Sequence, residues 1–404
     1  VRVLSDAGMK MVIITAKHHD GFCLWPTKTT DHSVASSPWK NGKGDVVREL
    51  KNACEKYGMK FGVYLSPWDR NAKCYGDSAA YNRFFMDQLT ELLTWYGTID
   101  EVWFDGANGE GPDGRKQVYS WESYYELIRK LQPEAVTAIM GEDVRWVGTE
   151  SGYGRETEWS VTALAPGGSE ASTKINSELG LEATSPDLGS SELLQRAGSV
   201  FWYPAEVDVS IRPGWFWHAS EDSLVKSVEK LADIYFSSVG RNAVLLLNVP
   251  PDTRGLIHEN DIKSLMGLRA YLDDIFDTDL LKGARPYGRG AANAIDADNS
   301  TSWSPAEKAV ASFIPAISAT FNVALLQEDI RMGQRVENFV IESRLGVKWD
   351  TVAKGTTIGY KRLLRFPAVR ADEIKLTITS SRAQPNISTF GLFMTPDTVP
   401  GRLK

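Results

Sequence analysis

Long apolar runs, cysteine, histidine and an excess of positive charge are all scarce in this chain of 404 residues. Each shortage removes a class of function. No stretch of eighteen apolar residues occurs, so no segment reads as a membrane-crossing helix. The net charge is −7, which argues against nucleic acid or an anionic membrane as a partner. Cys23, Cys54 and Cys74 are odd in number and widely spaced, and fit neither a disulfide framework nor a structural zinc site. There are 5 histidines, of which His18 and His19 are adjacent and followed by Asp20. Neighbours in a strand or turn point in different directions, and no third imidazole offers itself, so a catalytic metal is disfavoured. No Gly-rich phosphate fingerprint opens a helix, and no Gly-x-Ser-x-Gly elbow is present. Catalysis without a cofactor is therefore expected.

What is present is aromatic surface and βα alternation. Aromatic residues make up 10% of the chain, with 13 Trp, several beside Gly, Pro, His or Asp rather than inside apolar runs. Exposed indole faces suit the apolar faces of sugar rings. Segments 11–15, 60–66, 101–105, 135–140, 142–147, 200–204 and 242–248 read as strands, and 45–57, 79–96, 117–131, 224–237 and 260–276 as helices. Between 156 and 199 the sequence is polar and reads as an irregular loop with a helix near 191–196. Repeated βα units of this kind predict a parallel (β/α)8-like TIM barrel rather than an open doubly wound sheet. About seven strands are counted, the first of the eight being expected upstream of Val1, where any signal peptide would also lie. Beyond about 282 the pattern changes to short strands at 309–314, 319–323, 336–342, 346–351, 356–362, 373–379 and 387–393. The expected organisation is a barrel over 1–278 and an antiparallel β-sandwich over 279–404.

The stretch Glu101-Val-Trp-Phe-Asp-Gly-Ala-Asn-Gly-Glu-Gly111 places a carboxylate, Asp105, at the end of a buried strand and opens into a Gly-rich loop. Parallel barrels present catalytic acids in this way, and a loop without side chains admits a bulky ligand. The alternative is that Asp105 caps a turn. A second cluster built on the same plan, Lys17-His-His-Asp-Gly-Phe-Cys-Leu-Trp25, follows the strand at 11–15. Other polar and aromatic groups fall after strands: Tyr64, Trp68 and Asp69; Asp143, Arg145, Trp146 and Glu150; Glu206, Asp208, Arg212, Trp215, Trp217 and His218. Carboxylates among aromatic walls and neutral hydrogen-bonding side chains are the equipment of glycoside hydrolysis, in which one acid acts as nucleophile or base and another as acid/base. Asp105 is the candidate nucleophile. Glu150, Glu156, Glu158, Glu206 and Asp208 all remain candidates for its partner, each with the alternative of an exposed carboxylate or a pairing with Arg145, Arg155 or Arg212.

Lys17-His-His-Asp-Gly-Phe22, Gly62-Val-Tyr-Leu-Ser66 with Trp68, and Trp103-Phe-Asp-Gly106 together resemble the α-L-fucosidases of glycoside hydrolase family 29, over about 1–276. The resemblance implies a retaining exo-acting enzyme with Asp105 as nucleophile, His18 and His19 on fucose hydroxyls, and Tyr64 lining the sugar site. Trp68-Asp-Arg-Asn71, Gly106-Ala-Asn-Gly-Glu-Gly111 and Asp143-Val-Arg-Trp-Val-Gly-Thr-Glu150 further resemble the subfamily selective for α-1,3 and α-1,4 fucosyl branches, as on Lewis-type glycans. In that subfamily the acid/base follows Arg-Trp-Val-Gly, which points to Glu150. Trp217 or Trp215 is expected to wall the C6 methyl, and Trp68, Trp146 and Asp143 to hold the rest of the glycan. The expected partners are fucosylated oligosaccharides or glycoproteins, met in a secreted or periplasmic setting. A carbohydrate-binding protein without hydrolysis, or a retaining glycosidase for another sugar, is the alternative. Ala294-Ile-Asp-Ala-Asp-Asn-Ser-Thr-Ser-Trp303 resembles the opening loop of galactose-binding-like sandwiches, implying a structural calcium at Asp296, Asp298 and Thr301.

Overall fold

A computed structural model describes residues 1–306 and 309–396. The chain divides into two compact units, one of Val1–Trp146 with Leu164–Glu182, the other of Val147–Ala163 with Ala183–Lys404.

In the first unit, a short helix α1 (Arg2–Asp6) precedes β1 (Met11–Lys17), α2 (Val46–Lys56), β2 (Lys60–Leu65), α3 (Ser78–Trp95), β3 (Glu101–Phe104), α4 (Trp121–Leu131), β4 (Val136–Ile139) and β5 (Val144–Trp146). The five strands lie side by side in chain order, each parallel to the next. Asp45 and Asp77 cap α2 and α3 by accepting the Arg48 and Ala80 amides, which satisfies donors that the helix itself leaves open. Because side chains alternate along a strand, Val63, Leu65, Val102 and Phe104 point into the helix layer and are fully buried. Phe85 of α3 lies 6.0 Å from Phe104 and 4.6 Å from Tyr124 of α4. Burying each such ring or branched chain contributes about 1.5–3 kcal/mol.

The opposite face of the strands carries Tyr64 and Trp103, which are direct register partners. In β1 the register shifts between Thr15 and Lys17, so that Lys17 pairs with Leu65. This irregularity sends Lys17 into the helix layer and leaves His18 on the face of Tyr64. The Lys17 ammonium is wholly buried there, 3.1 Å from Asp69 and 2.9 Å from Gln88 Oε1, with the rings of Tyr81, Phe84 and Phe85 around it. A buried cation needs such partners to be tolerated.

The second unit contains β6 (Val161–Thr162) paired with β7 (Phe201–Trp202), α6 (Ser191–Arg196), and a parallel pair β8 (Ala205–Ser210) and β9 (Val244–Asn248) with helices α7 (Val228–Ser237) and α8 (Glu259–Phe276). Antiparallel strands follow. One sheet runs β10 (Arg285–Tyr287), β11 (Val310–Ile314), β16 (Glu373–Ser381), β13 (Val336–Leu345), β14 (Lys348–Gly355); the other runs β15 (Arg362–Ala371), β12 (Ala319–Glu328), β17 (Ile387–Phe393). Their inner faces share one core, with Trp303 buried in it and Phe313 5.3 Å from Phe390. A seven-stranded sheet whose strands are mostly joined by helices, then a two-sheet antiparallel sandwich, are the (β/α)8-like barrel and β-sandwich read from the sequence. The strands of the sandwich begin at Arg285, and the end of the 279–404 segment, from 397 on, lies outside the described residues.

Three local readings need correction. Within 156–199 a further helix, α5 (Glu170–Leu179), belongs to the first unit; it is capped by Ser169 and stopped by Gly180 at φ 65°, and none of its residues is buried, so it has no apolar stripe to signal it. Glu206 and Asp208 do not follow a strand but lie within β8, all of whose residues are buried. The strand expected at 356–362 begins where that segment ends, at Arg362, and carries Pro367 in its interior. Pro367 is accommodated because β15 is an edge strand and its register with β12 is irregular between the pairs Phe321–Val369 and Val323–Arg365.

Candidate active site

Asp105 leaves the end of β3 with its carboxylate held by two neutral donors. The Tyr64 hydroxyl donates to Oδ2 at 2.9 Å, and the Ala107 amide donates to Oδ1 at 2.7 Å. His19 Nε2 lies 3.9 Å from Oδ2. Burial, reinforced by the Asp105 charge, pushes the Tyr64 phenol far above its ordinary value, so Tyr64 keeps its proton and stays a donor. Tyr64 is stacked between His18, at 5.8 Å and 7°, and Trp103, at 4.9 Å and 18°. This series of rings fixes the phenol beside the carboxylate.

The two histidines touch, with ring centroids 4.0 Å apart. Burial and the neighbouring His19 push His18 below the ordinary imidazole value; burial does the same to His19, against the opposing pull of Asp105. Both are therefore neutral at pH 7. The tautomer of His19 follows from its partner. Ser66 Oγ spends its proton on the Trp68 carbonyl at 2.7 Å, so at 2.7 Å from His19 Nδ1 it can only accept. Nδ1 carries the hydrogen, and Nε2 presents a lone pair beside Asp105. A sugar hydroxyl entering there can donate to Nε2. The Arg70 amide donates to the His19 carbonyl at 2.8 Å and Asp69 caps the amides of Asn71 and Ala72, tying the histidine turn to the segment that carries Trp68.

Two glycines of the loop after Asp105 make room for aromatic side chains of the protein itself. A Cβ on Gly109 would stand 2.1 Å from the Trp68 ring, and one on Gly111 2.6 Å from the Tyr75 ring. The glycines let the loop close onto aromatic side chains. Trp68 Nε1 donates to the Glu110 carbonyl at 3.0 Å, and Tyr75 to the Gly109 carbonyl at 3.1 Å, with Tyr119 2.7 Å from the Tyr75 hydroxyl. Tyr75 and Tyr119 were not anticipated; the Tyr-Ser-Trp run after the loop was the only trace of this support.

The first unit thus brings His18, His19, Tyr64, Trp68 and Asp105 together. Trp146 ends β5 half-buried. Asp143 is differently employed: its Oδ2 takes an ion pair with Arg129 at 2.6 Å and hydrogen bonds from the Thr137 amide and hydroxyl at 2.7 and 2.8 Å. It closes the turn between β4 and β5 through Oδ2 and stays about a third exposed.

In the second unit Glu150 is exposed, in a segment anchored at both ends: the Val147 amide donates to the Glu206 carbonyl at 2.9 Å, and the Gly154 amide to Ser237 at 2.7 Å. Glu156 pairs with Arg241 at 2.9 Å and with Arg362. Glu158 is buried and paired with Arg155. Those two carboxylates are committed to arginines. Trp217 is half-buried and donates to Asp222 Oδ1 at 3.1 Å, which also accepts Arg212; Arg212 is in turn locked to Asp261, both fully buried. This pins a loop on which Trp215 and Phe216 are exposed, 39% and 56%.

The turn expected to hold calcium is hydrogen-bonded within itself. Thr301 donates to Asp296 at 2.7 Å, and Asp298 accepts the amide and hydroxyl of Ser300. Among the described residues no group of three or more His, Cys, Asp or Glu converges as a metal site. Nor is any described helix long and apolar enough to cross a membrane.

Residues 1–275 match a family model described as alpha-L-fucosidase. Alpha-L-fucosidase 1 of Arabidopsis thaliana is 42% identical over 416 residues, covering 98% of this chain and 78% of the plant protein. A glycoside hydrolase 29 family member from an unknown rumen bacterium superposes with a TM-score of 0.83 at 39% identity, over 99% of this chain and 69% of the other. A Ruminococcus gnavus GH29 fucosidase, solved in complex with fucose, gives a TM-score of 0.85 at 30% identity, over 98% and 84%.

Proposed function

From the premise that this chain belongs to the alpha-L-fucosidase family, glycoside hydrolase family 29, and is an α-L-fucosidase, we propose a retaining exo-acting enzyme that removes terminal α-1,3- or α-1,4-linked fucose from branched oligosaccharides and glycoproteins. Asp105 attacks the anomeric carbon while Glu150 protonates the departing glycosidic oxygen. The resulting fucosyl ester on Asp105 is then hydrolysed by water, whose proton Glu150 takes. The observation that carries this reading is the setting of Asp105: both its oxygens are held by neutral donors, Tyr64 and the Ala107 amide. Neutral donors aim and stabilise a carboxylate without pairing away its charge, which suits a nucleophile. Neutral His18 and His19 suit a neutral sugar, since they accept and donate without imposing a permanent charge.

The branch preference rests on Trp68-Asp-Arg-Asn71 and on Glu150 following Arg145-Trp-Val-Gly148. Such substrates belong to glycans outside the cytoplasm, so a secreted or periplasmic setting is part of the proposal. The test is release of fucose from a Lewis-type trisaccharide and from 2′-fucosyllactose, measured side by side. Release from the first alone is expected. Release from both overturns the branch preference, and tight fucoside binding without release from either overturns the hydrolytic reading.

A further inference from the structure

Glu150 sits on a span whose two ends are fixed by different parts of the second unit. Upstream, Val147 is bonded to β8, and Gly148, at φ 99°, lies so close to the Ala183–Thr184 backbone that a Cβ would meet the Ala183 carbonyl at 2.7 Å. Downstream, the segment 154–160 is fastened by the C-terminal sandwich. Gln334, which precedes β13, is itself buried, and its amide reads this segment from both sides: Oε1 accepts the Ser160 amide at 2.8 Å, and Nε2 donates to the Glu158 carbonyl at 3.0 Å and to Thr357 Oγ1 at 2.7 Å. Asn242 completes the knot, donating to the Glu158 carbonyl, Ser160 Oγ and Gln334 Oε1 at 3.1, 3.0 and 3.2 Å. Arg362 at the head of β15 is almost wholly buried and clamps Glu156 through both its carbonyl and its carboxylate, and Thr157 is hydrogen-bonded to Thr356 at 2.7 Å. Four of these seven residues, Glu156, Thr157, Glu158 and Ser160, are thus attached to the sandwich, on the segment that leaves Glu150.

We infer that the sandwich positions the acid/base: Gln334 and Arg362 are positioning residues that hold the 154–160 segment, and through it the Glu150 span, in the geometry needed to protonate the leaving oxygen. Neither touches substrate. The inference rests on Glu150 being the acid/base, and that reading is tested in the same experiment. A misplaced general acid hurts only where the leaving group needs a proton. Displacements of about 1 Å have cost as much as 10²-fold in such steps.

The test compares a Lewis-type trisaccharide with α-L-fucosyl fluoride, whose fluoride leaves without protonation, using the full chain and the variants Gln334→Ala, Arg362→Lys and Glu150→Ala. For Gln334→Ala and Arg362→Lys, kcat/KM on the trisaccharide is expected to fall about tenfold, and kcat/KM on the fluoride to stay within about twofold. Added azide, which attacks the fucosyl ester without a general base, should restore kcat on the fluoride. Equal losses on both substrates, or no loss on either, overturn the inference, because fewer active molecules lower both numbers alike. Glu150→Ala should show the same selective pattern more strongly; if it does not, the acid/base reading fails, whatever the sandwich variants do. Glu156→Gln, at a carboxylate 61% exposed, weakens the Arg362 clamp from the solvent side and serves if Gln334→Ala does not fold.

Discussion

Asp105 and Glu150 are held by opposite means. Asp105 follows directly from β3, four residues all buried, and its side chain is gripped at both oxygens. Glu150 is exposed on a span whose backbone, not its side chain, is secured, by β8 on one side and by the sandwich on the other. The contrast matches the two duties proposed for them. A nucleophile acts through one fixed trajectory and does not exchange its proton with solvent, so rigid donors aimed at the carboxylate are useful. An acid/base must give up a proton and recover one in each turnover, so a side chain tied into fixed hydrogen bonds would be a hindrance. Precision is then supplied one level away, by the chain that carries it.

The sharpest way to break this contrast is to remove the gripped group. Asp105→Gly should lower kcat on every fucoside by roughly 10⁴-fold or more, since no other group supplies the covalent route. Azide should restore turnover and yield a fucosyl azide of inverted configuration. Near-normal turnover, or rescue with retention, would show that Asp105 is not the nucleophile. Read beside Glu150→Ala, the two losses should differ in kind: indifferent to the leaving group at Asp105, selective at Glu150.

A milder change asks whether the grip itself matters. Tyr64→Phe keeps the ring between His18 and Trp103 and deletes the hydroxyl that donates to Asp105. A hydrogen bond to a charged group contributes about 1.5–3 kcal/mol, so kcat/KM should fall roughly 10- to 100-fold on trisaccharide and fluoride alike. A loss confined to the trisaccharide would place Tyr64 with the acid rather than the nucleophile.

The same contrast appears in what could be read from the residues alone. The Asp105 side was legible because its chemistry is local. Trp103-Phe-Asp-Gly106 places a carboxylate at a strand end, and Lys17-His-His-Asp20 shows the same plan two strands earlier. Even there, packing adds what composition does not show: Gly109 and Gly111 give room to Trp68 and Tyr75. The Glu150 side was legible only as a motif. Ser160 and Gln334 are 174 residues apart, and no periodicity links them. The strand β8 was hidden because Glu206 and Asp208 interrupt the apolar pattern that a buried strand usually shows, and β15 because Pro367 argues against a strand until the bulge that accepts it is seen. The expectation of calcium came from an acidic turn, and two of its carboxylates, Asp296 and Asp298, accept hydrogen bonds from the turn itself.

The gentlest probe acts on the sandwich alone. Glu328 is buried at the end of β12 and accepts the amides of Arg335 and Val336 at 2.8 and 2.9 Å and of Gly359 at 2.7 Å, bracing the turns that carry Gln334 and Thr357. Burial nevertheless pushes its carboxyl up to about 7 from 4.5. A carboxyl raised on folding binds its proton more tightly in the native than in the unfolded state. Between pH 4.5 and 7 the native state therefore holds more protons, and stability falls as pH rises through that window, by at most about 3 kcal/mol. Glu328→Gln keeps one acceptor and cannot titrate. Urea unfolding of both proteins at pH 5, 6, 7 and 8 should show that the difference in stability between them changes across this range in the variant's favour as pH rises. A constant difference would mean that Glu328 titrates as it does in the unfolded chain. Turnover of the fluoride at pH 7 should be unchanged, because Glu328 acts on the frame that holds the acid/base span and not on the gripped nucleophile.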